Sequence, residues 1–222
     1  MRSKDYDAVV FDMDGVIFDS ERATLDCWIE LAERHDIPNI REPYYKCIGV
    51  NAARTKEIVL EAYGEDFPYD EYEKECSAMY QDKYGNGRLP IKDGAKEILR
   101  FLKAEGKKIA LASSTRKKKV EEQLRNAGLL EFFDALICGD MVKRSKPAPD
   151  IFLEACKALG VVPKRAYAIE DSFNGIRAAS AGELRPIMVP DLLPADEEMK
   201  DKAEVVLDSL NDVIEYLKKD QN

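Results

Sequence analysis

The chain has 222 residues, of which 45% are hydrophobic, and it carries a formal net charge of −9. This length and hydrophobic fraction fit one sizeable α/β domain, or a core with a smaller partner domain, and they exclude a disordered chain. The negative charge disfavours nucleic acid and anionic membranes as partners. An anionic substrate would therefore need a locally positive pocket or a metal ion.

Few features of the sequence point to any partner other than a small molecule. The run RKKK at 116–119 is the only cationic cluster, and it is more typical of the exposed start of a helix than of a nucleic-acid site. The five cysteines are scattered and lack CxxC spacing, which favours reduced thiols over a zinc site or disulfides. No hydrophobic leader or membrane span is apparent. We therefore expect a cytoplasmic monomer without nucleic-acid or membrane partners.

The first predicted element is a short buried strand, Ala8–Phe11, and the elements after it are helical. Ser20 occupies the N-cap position of the first helix, and Pro38 and Pro43 interrupt the chain after that helix. Because no convincing strand appears before residue 88, we expect a helical block over 19–88. The predicted helices of this block are 20–36, Ala52–Tyr63 and Tyr69–Tyr84.

From residue 89 onwards, predicted strands alternate with predicted helices. Such alternation forms right-handed βαβ units, and hence a parallel sheet covered on both faces. The first strand belongs to this α/β core, residues 1–18 and 89–222, so the helical block is inserted into it. The crossings at 18–20 and 85–90 are predicted hinges. The predicted strands are 108–112, Ala135–Cys138, 166–169, 186–189 and 205–207, and the helices are 93–105, 117–127, 148–159, 172–181 and Leu210–Lys219.

Polar side chains collect after four of the predicted strands. In an open α/β sheet, ligands bind beyond the carboxyl ends of the strands. One such group could simply cap a helix, but four groups at one edge are difficult to explain by structure alone. The residues are Asp12 and Asp14 after the first strand, Ser113, Ser114 and Thr115 after the second, Lys146 after the third, and Glu170 with Asp171 after the fourth.

These residue types fit phosphoryl transfer. Carboxylates at one edge repel each other unless a hard cation such as Mg²⁺ lies among them. Asp12 and Asp171 are therefore predicted ligands, with Glu170 bound directly or through water. A carboxylate can also attack phosphorus and form an aspartyl-phosphate. A second carboxyl group, that of Asp14, could protonate the leaving alcohol and then deprotonate the attacking water.

The remaining polar groups would bind the phosphoryl oxygens. Lys146 would neutralise negative charge, while the Ser113 hydroxyl and the Ser114 backbone N–H would hold the oxygens. Taken singly, each residue has a purely structural alternative. Ser113 could be an N-cap, Lys146 could be a solvated lysine, and the pair at 170–171 could cap a helix. The predicted site therefore depends on the joint pattern.

Four segments carry a resemblance to a known family: FDMDGVIFD, ASSTR, KPAPDIF and IEDSFNGIRAA, in this order. They resemble the four motifs of the haloacid dehalogenase-like (HAD) hydrolases, in particular the phosphatase/β-phosphoglucomutase branch with a helical cap. The resemblance covers essentially the whole chain. It implies a Rossmann-like parallel-sheet core with an inserted all-helical cap domain over 19–88. It also implies Mg²⁺ dependence and an aspartyl-phosphate intermediate.

The resemblance also implies a role for each motif residue. An aspartate at position 14 favours catalysed turnover of a phosphoester. An inactive binding module would have lost at least one motif position, and all are present. Asp12 matches the nucleophile, and Asp14 matches the general acid/base. The backbone carbonyl of Asp14 also matches a metal ligand. The other matches are Ser113 with the phosphate-binding hydroxyl, Lys146 with the motif lysine, and Glu170 and Asp171 with the acidic metal pair.

The sequence departs from the mutases of this branch in the cap. β-Phosphoglucomutases carry a cap histidine on the helix after the first motif, and that position is Thr24 here. Their cap arginine falls near Ala52, with Arg54 the nearest guanidinium. Substrate selection is expected in the cap at Gly49, Asn51 and Arg54, although Arg54 could instead lie on a solvated helix face.

These departures favour hydrolysis over isomerisation, because a mutase must retain and reorient a bisphosphate rather than release its product. The sequence thus predicts a Mg²⁺-dependent phosphatase for small phosphomonoesters such as sugar phosphates or nucleotides. The alternatives are a hexose-phosphate mutase and a catalytically silent protein that binds a phosphorylated metabolite.

Overall fold

The computed structural model describes residues 6–48, 50 and 52–219. The chain divides into two compact units, one of Met1–Phe18 with Ile91–Asn222 and one of Asp19–Pro90. None of the helices in the described part of the chain is long and apolar enough to span a membrane.

Six strands, ten α-helices and three short 3-10 helices make up the regular structure of the described residues. The strands are β1 (Ala8–Phe11), β2 (Lys108–Ser113), β3 (Ala135–Cys138), β4 (Ala166–Glu170), β5 (Arg185–Met188) and β6 (Val205–Val206). The helices are α1 (Ser20–Arg34), α2 (Arg41–Cys47), α3 (Ala52–Tyr63), α4 (Tyr69–Tyr84), α5 (Ala95–Ala104), α6 (Lys117–Asn126), α7 (Asp150–Leu159), α8 (Phe173–Ala181), α9 (Glu197–Lys202) and α10 (Leu210–Lys219).

The larger unit is built around a parallel sheet in the order β3-β2-β1-β4-β5-β6. Every residue of β1 and β4 is buried, as expected for central strands that are covered on both faces. One buried cluster joins α7 and α8 to these strands, with Phe152 and Ala179 packed among Val10, Ala110 and Ala168. Burying a side chain as large as Phe152 contributes about 1.5–3 kcal/mol. The predicted α/β class with a parallel sheet is confirmed.

The register of the sheet brings the predicted site residues to one edge. Phe11 at the end of β1 pairs with Leu111 of β2 and with Ile169 of β4. The Asp12 N–H then donates to the Ile169 carbonyl oxygen at 2.9 Å. The carboxyl ends of these three strands are therefore level, and the polar residues that follow them are neighbours.

The smaller unit contains helices α1 to α4, and its described residues contain no strand. Three aromatic side chains form the centre of its core. The Trp28 ring contacts Tyr44 and Tyr72 edge-to-face, with ring centroids 5.1 and 5.8 Å away. The Tyr72 hydroxyl donates to the Trp28 carbonyl oxygen at 2.7 Å, so its polar group is satisfied inside the core.

Some local predictions are wrong. Ser20 is the first residue of α1 and Asp19 holds the N-cap position, so Ser20 does not cap this helix. Helix α2 was not predicted because Pro43 is normally a helix breaker, but Pro43 lies in the first turn, where the helix does not need its missing N–H. Helix α9 was not predicted either, although Asp196 caps it by accepting from the Met199 N–H.

Candidate active site

The turn after β1 holds two aspartates beside a third carboxylate. The Gly15 N–H donates to the Phe18 carbonyl oxygen at 2.9 Å. Gly15 has φ of +78°, a backbone conformation that residues with a side chain rarely adopt. A Cβ at position 15 would lie 2.2 Å from Asp171 Oδ2. Because glycine has no Cβ, the turn that carries Asp12 and Asp14 can approach the Asp171 carboxylate directly.

Lys146 bridges two buried carboxylates. Its Nζ donates to Asp12 Oδ1 at 2.5 Å, to Glu170 Oε1 at 2.5 Å and to the Ala112 carbonyl oxygen at 3.0 Å. These three bonds use all the hydrogens of the ammonium group. The side chains of Lys146, Asp12 and Glu170 are 7%, 10% and 0% exposed. The alternative interpretation of Lys146 as a solvated loop lysine is therefore wrong.

The second oxygen of Glu170 is bound by the start of α8. Glu170 Oε2 accepts from the N–H groups of Asp171 and Ser172 at 3.2 and 3.1 Å and from the Ser172 hydroxyl at 3.0 Å. The N-cap of α8 is Ser172, whose Oγ accepts from the Gly175 N–H. Ser172 therefore holds the capping position of α8, and Glu170 binds the N–H groups just before the helix in addition to its contact with Lys146. Ser172 is a supporting residue that was not among the predicted site residues.

The acidic residues form a compact oxygen-donor set. One carboxylate oxygen from each of Asp12, Glu170 and Asp171 lies within 4.8 Å of the others, and all three residues are buried. Oxygen donors of this kind fit a hard cation such as Mg²⁺. Lys146 contacts the carboxylates of Asp12 and Glu170, and the carboxyl groups of Asp171 and Asp14 lie nearby, so a divalent cation would offset excess negative charge.

Burial and like charge perturb the pKa values in this cluster. Burial raises the pKa of Asp12 to about 8, and the charges of Glu170 and Asp14 add to the rise while Lys146 opposes it. Burial by itself would lower the pKa of Lys146, but the carboxylates of Asp12 and Glu170 outweigh it and hold the pKa above its usual range. Lys146 is therefore charged, and it balances one of the two carboxylates that it contacts.

The carboxyl end of β2, which includes Ser113, meets the turn after β1. Ser113 is fully buried, and its Oγ accepts from the Thr115 N–H at 3.1 Å. The Thr115 hydroxyl donates to Asp14 Oδ2 at 3.0 Å. Ser113 is not an N-cap, because α6 begins at Lys117 with Arg116 in the capping position. A hydroxyl can accept and donate at once, so Ser113 can still donate to a ligand.

The predicted cap residues belong to the smaller unit. Arg54 lies on an exposed face of α3, where its Nη1 is 2.9 Å from Glu57 Oε2 and 2.9 Å from Glu61 Oε1. These contacts fit the alternative of a solvated helix face. Gly49 and Asn51 lie outside the described residues.

Residues 6–182 match the family model described as haloacid dehalogenase-like hydrolase. The chain is 32% identical over 181 residues to the phosphorylated carbohydrates phosphatase of Thermotoga maritima, covering 82% of this chain and 83% of that protein. It is 31% identical over 215 residues to the β-phosphoglucomutase of Bacillus subtilis, covering 92% and 94%. A crystal structure of a HAD family hydrolase from Deinococcus radiodurans with bound phosphate and sodium matches with a TM-score of 0.82 at 28% identity, covering 97% and 96%.

The parallel sheet carries a buried acidic site at its carboxyl edge, and the family model that matches the chain is that of a hydrolase. The chain belongs to the haloacid dehalogenase-like hydrolase family. The predicted family, the Rossmann-like fold and the assignment as an enzyme are thereby confirmed.

Proposed function

We propose that the chain is a Mg²⁺-dependent phosphatase that hydrolyses small phosphomonoesters, with sugar phosphates as the first substrate class. The observation that carries the proposal is the buried contact of Lys146 with Asp12 and Glu170, next to Asp171 and Asp14. The relatives support the substrate class, because a phosphatase of phosphorylated carbohydrates and a phosphoglucomutase are among them.

In the first half-reaction, an Asp12 carboxylate oxygen attacks phosphorus and the bond from phosphorus to the ester oxygen breaks. Asp14 gives a proton to the leaving alcohol. The Ser113 hydroxyl donates to a phosphoryl oxygen, and the positive charge of Lys146, which stays bound to Asp12 and Glu170, offsets the negative charge that develops beside it. Asp12, Glu170 and Asp171 would hold Mg²⁺, which supplies further positive charge when it is bound.

In the second half-reaction, water attacks the aspartyl-phosphate while Asp14 takes a proton from it. Inorganic phosphate leaves and the Asp12 carboxylate is restored. Asp14 has regained the proton that it gave to the alcohol, so the cycle is balanced.

The test is the release of inorganic phosphate from a panel of sugar phosphates and nucleotides, with Mg²⁺ and with EDTA. We expect release from at least one monoester with Mg²⁺, and its loss with EDTA. The Asp12→Asn variant should abolish release. Asp208→Asn is a matched control, because Asp208 is exposed and lies in the chain segment between β6 and α10. Hydrolysis that persists in Asp12→Asn would contradict the assignment of the nucleophile.

A hexose-phosphate mutase is the second candidate, and the similarity to the Bacillus subtilis β-phosphoglucomutase favours it. Thr24 weighs against it, since threonine cannot act as the cap histidine and its hydroxyl donates to the Ser20 carbonyl oxygen at 2.9 Å. If β-glucose 1-phosphate is isomerised and no monoester releases phosphate, the mutase is correct and the phosphatase is wrong. A protein that binds these metabolites but turns over none of them would be the silent binding protein.

A further inference from the structure

We infer that Thr115 is a positioning residue that orients the Asp14 carboxyl group for proton transfer. Its hydroxyl donates to Asp14 Oδ2 at 3.0 Å, across a separation of 101 residues in the chain. The inference rests on the proposed function, in which Asp14 is the general acid and base.

Thr115 is held by its backbone on both sides. Its N–H donates to Ser113 Oγ at 3.1 Å, and its carbonyl oxygen accepts from the Gly139 N–H at 3.0 Å. A Cβ at Gly139 would lie 2.1 Å from the Ser114 carbonyl oxygen, so the chain segments after β2 and β3 are in close contact. The branched side chain of threonine adds stiffness at χ1. The Thr115 hydroxyl is therefore a well-anchored donor.

Asp14 needs such an anchor because its surroundings are negatively charged. Asp14 lies two residues after Asp12, in the turn that approaches the Asp171 carboxylate. The ammonium of Lys146 is engaged by Asp12, Glu170 and a carbonyl oxygen. The neutral Thr115 hydroxyl holds the Asp14 carboxyl group in place without adding charge to the cluster.

The hydrogen bond distinguishes the two oxygens of Asp14. With Thr115 bound to Oδ2, the inferred proton transfers of both half-reactions take place at Oδ1. Oδ1 gives a proton to the ester oxygen as its bond to phosphorus breaks, and Oδ1 later takes a proton from the attacking water. The orientation of the carboxyl group thus determines whether its proton lies on the side of the leaving group.

The test separates proton transfer from other functions of the site. Thr115→Val removes the hydroxyl and keeps the shape, and Thr115→Ser keeps the hydroxyl. The value of kcat/KM reports formation of the aspartyl-phosphate, so it is measured with an alkyl phosphate and with dinitrophenyl phosphate. The alkyl alcohol needs a proton in order to leave, whereas dinitrophenolate does not.

For Thr115→Val we expect kcat/KM to fall by about 10–100-fold with the alkyl phosphate, because a misplaced catalytic group lowers the rate by about this factor. With dinitrophenyl phosphate, kcat/KM should fall by less than about threefold. Thr115→Ser should restore the alkyl value. In an Asp14→Ala background, Thr115→Val should cause no further loss. Equal losses with both substrates, or a full additional loss in the Asp14→Ala background, would overturn the inference.

Asp14→Ala alone keeps the two proposals distinguishable. If Asp14→Ala lowers kcat/KM for the alkyl phosphate selectively but Thr115→Val does not, Asp14 is the general acid and only the positioning role of Thr115 is wrong. If Asp14→Ala itself shows no selective loss, the acid/base part of the proposed function is wrong, and the inference is overturned with it.

Discussion

Replacing Lys146 by methionine tests how much the buried ammonium group contributes to the core. Methionine keeps the apolar length of the side chain but removes the charge and three donated hydrogen bonds. The carboxylates of Asp12 and Glu170 would remain 10% and 0% exposed, so water could not replace the ammonium without a rearrangement.

The magnitude follows from the charge that is left behind. Removing one partner of a buried ion pair costs about 3–5 kcal/mol, because an uncompensated charge stays buried. Two carboxylates lose their partner here, but burial raises the pKa of Asp12 to about 8, so Asp12 can hold a proton at neutral pH without metal. One uncompensated carboxylate remains. We therefore expect the free energy of unfolding to fall by about 3–5 kcal/mol in EDTA, and by less in Mg²⁺.

The assay is urea unfolding followed by far-ultraviolet circular dichroism, which detects both units. Trp28 is the only tryptophan in the sequence and lies in the Asp19–Pro90 unit, so its fluorescence follows that unit separately. Lys103→Met is the matched control. Lys103 Nζ contacts Asp134 Oδ1 at 2.7 Å, but their side chains are 35% and 41% exposed. An exposed pair of this kind contributes about 0–1 kcal/mol.

A loss in Lys146→Met no larger than the loss in Lys103→Met would refute the reasoning. It would mean that the carboxylates of Asp12 and Glu170 exchange the ammonium for water at little cost. Equal stability in EDTA and in Mg²⁺ would separately contradict compensation by a divalent cation.

Three further predictions concern the metal site and the opposite end of the sheet. Gly15→Ala should weaken Mg²⁺ binding and lower kcat/KM at least tenfold, because the new Cβ would lie 2.2 Å from Asp171 Oδ2. Gly106→Ala is the control: Gly106 has φ of +65° and open space around it, so this variant should lose about 1 kcal/mol of stability and no activity. Burial raises the pKa of Asp12 to about 8, so Mg²⁺ must displace a proton from Asp12 at neutral pH. The affinity of the site for Mg²⁺ should therefore increase with pH up to about 8. A Mg²⁺ affinity that calorimetry finds constant from about pH 6 to about pH 8 would contradict this. Glu204→Ala removes the carboxylate that pairs with the buried Arg185 at the amino end of β5. This variant should lower the free energy of unfolding by about 3–5 kcal/mol, while kcat/KM of the folded protein stays unchanged.

The strands were predictable from the sequence because buried parallel strands are short apolar runs between helices, whereas no order of the strands in the sheet was predicted. Ala8–Phe11 and Ala135–Cys138 occur as predicted. The errors lie where a local rule competes with context. Pro43 was taken as a helix breaker but lies in the first turn of α2, and Ser20 begins α1 instead of capping it.

The site was predictable in its residue types and less so in its contacts. Asp12 and Glu170 come directly after the predicted strands 8–11 and 166–169, so their common edge could be inferred, although Glu170 is the last residue of β4 in the structure. The contacts of Lys146 with Asp12 and of Thr115 with Asp14 join residues 134 and 101 positions apart, and no local pattern encodes such pairs. The roles of the motif residues, the domain bounds, the cytoplasmic location and the monomeric state stay predictions.

The position of β1 at the centre of the sheet has a consequence for the order of folding. Ala8 of β1 pairs with Lys108 of β2 and with Ala166 of β4, so both neighbours of the first strand are synthesised long after it. The Asp19–Pro90 unit is continuous in sequence and helical, and local helical contacts form quickly. During synthesis this unit can fold while the apolar strand before it still lacks both partners. Asp12 is thus synthesised well before residue 171, and its surroundings form only once residue 171 has followed.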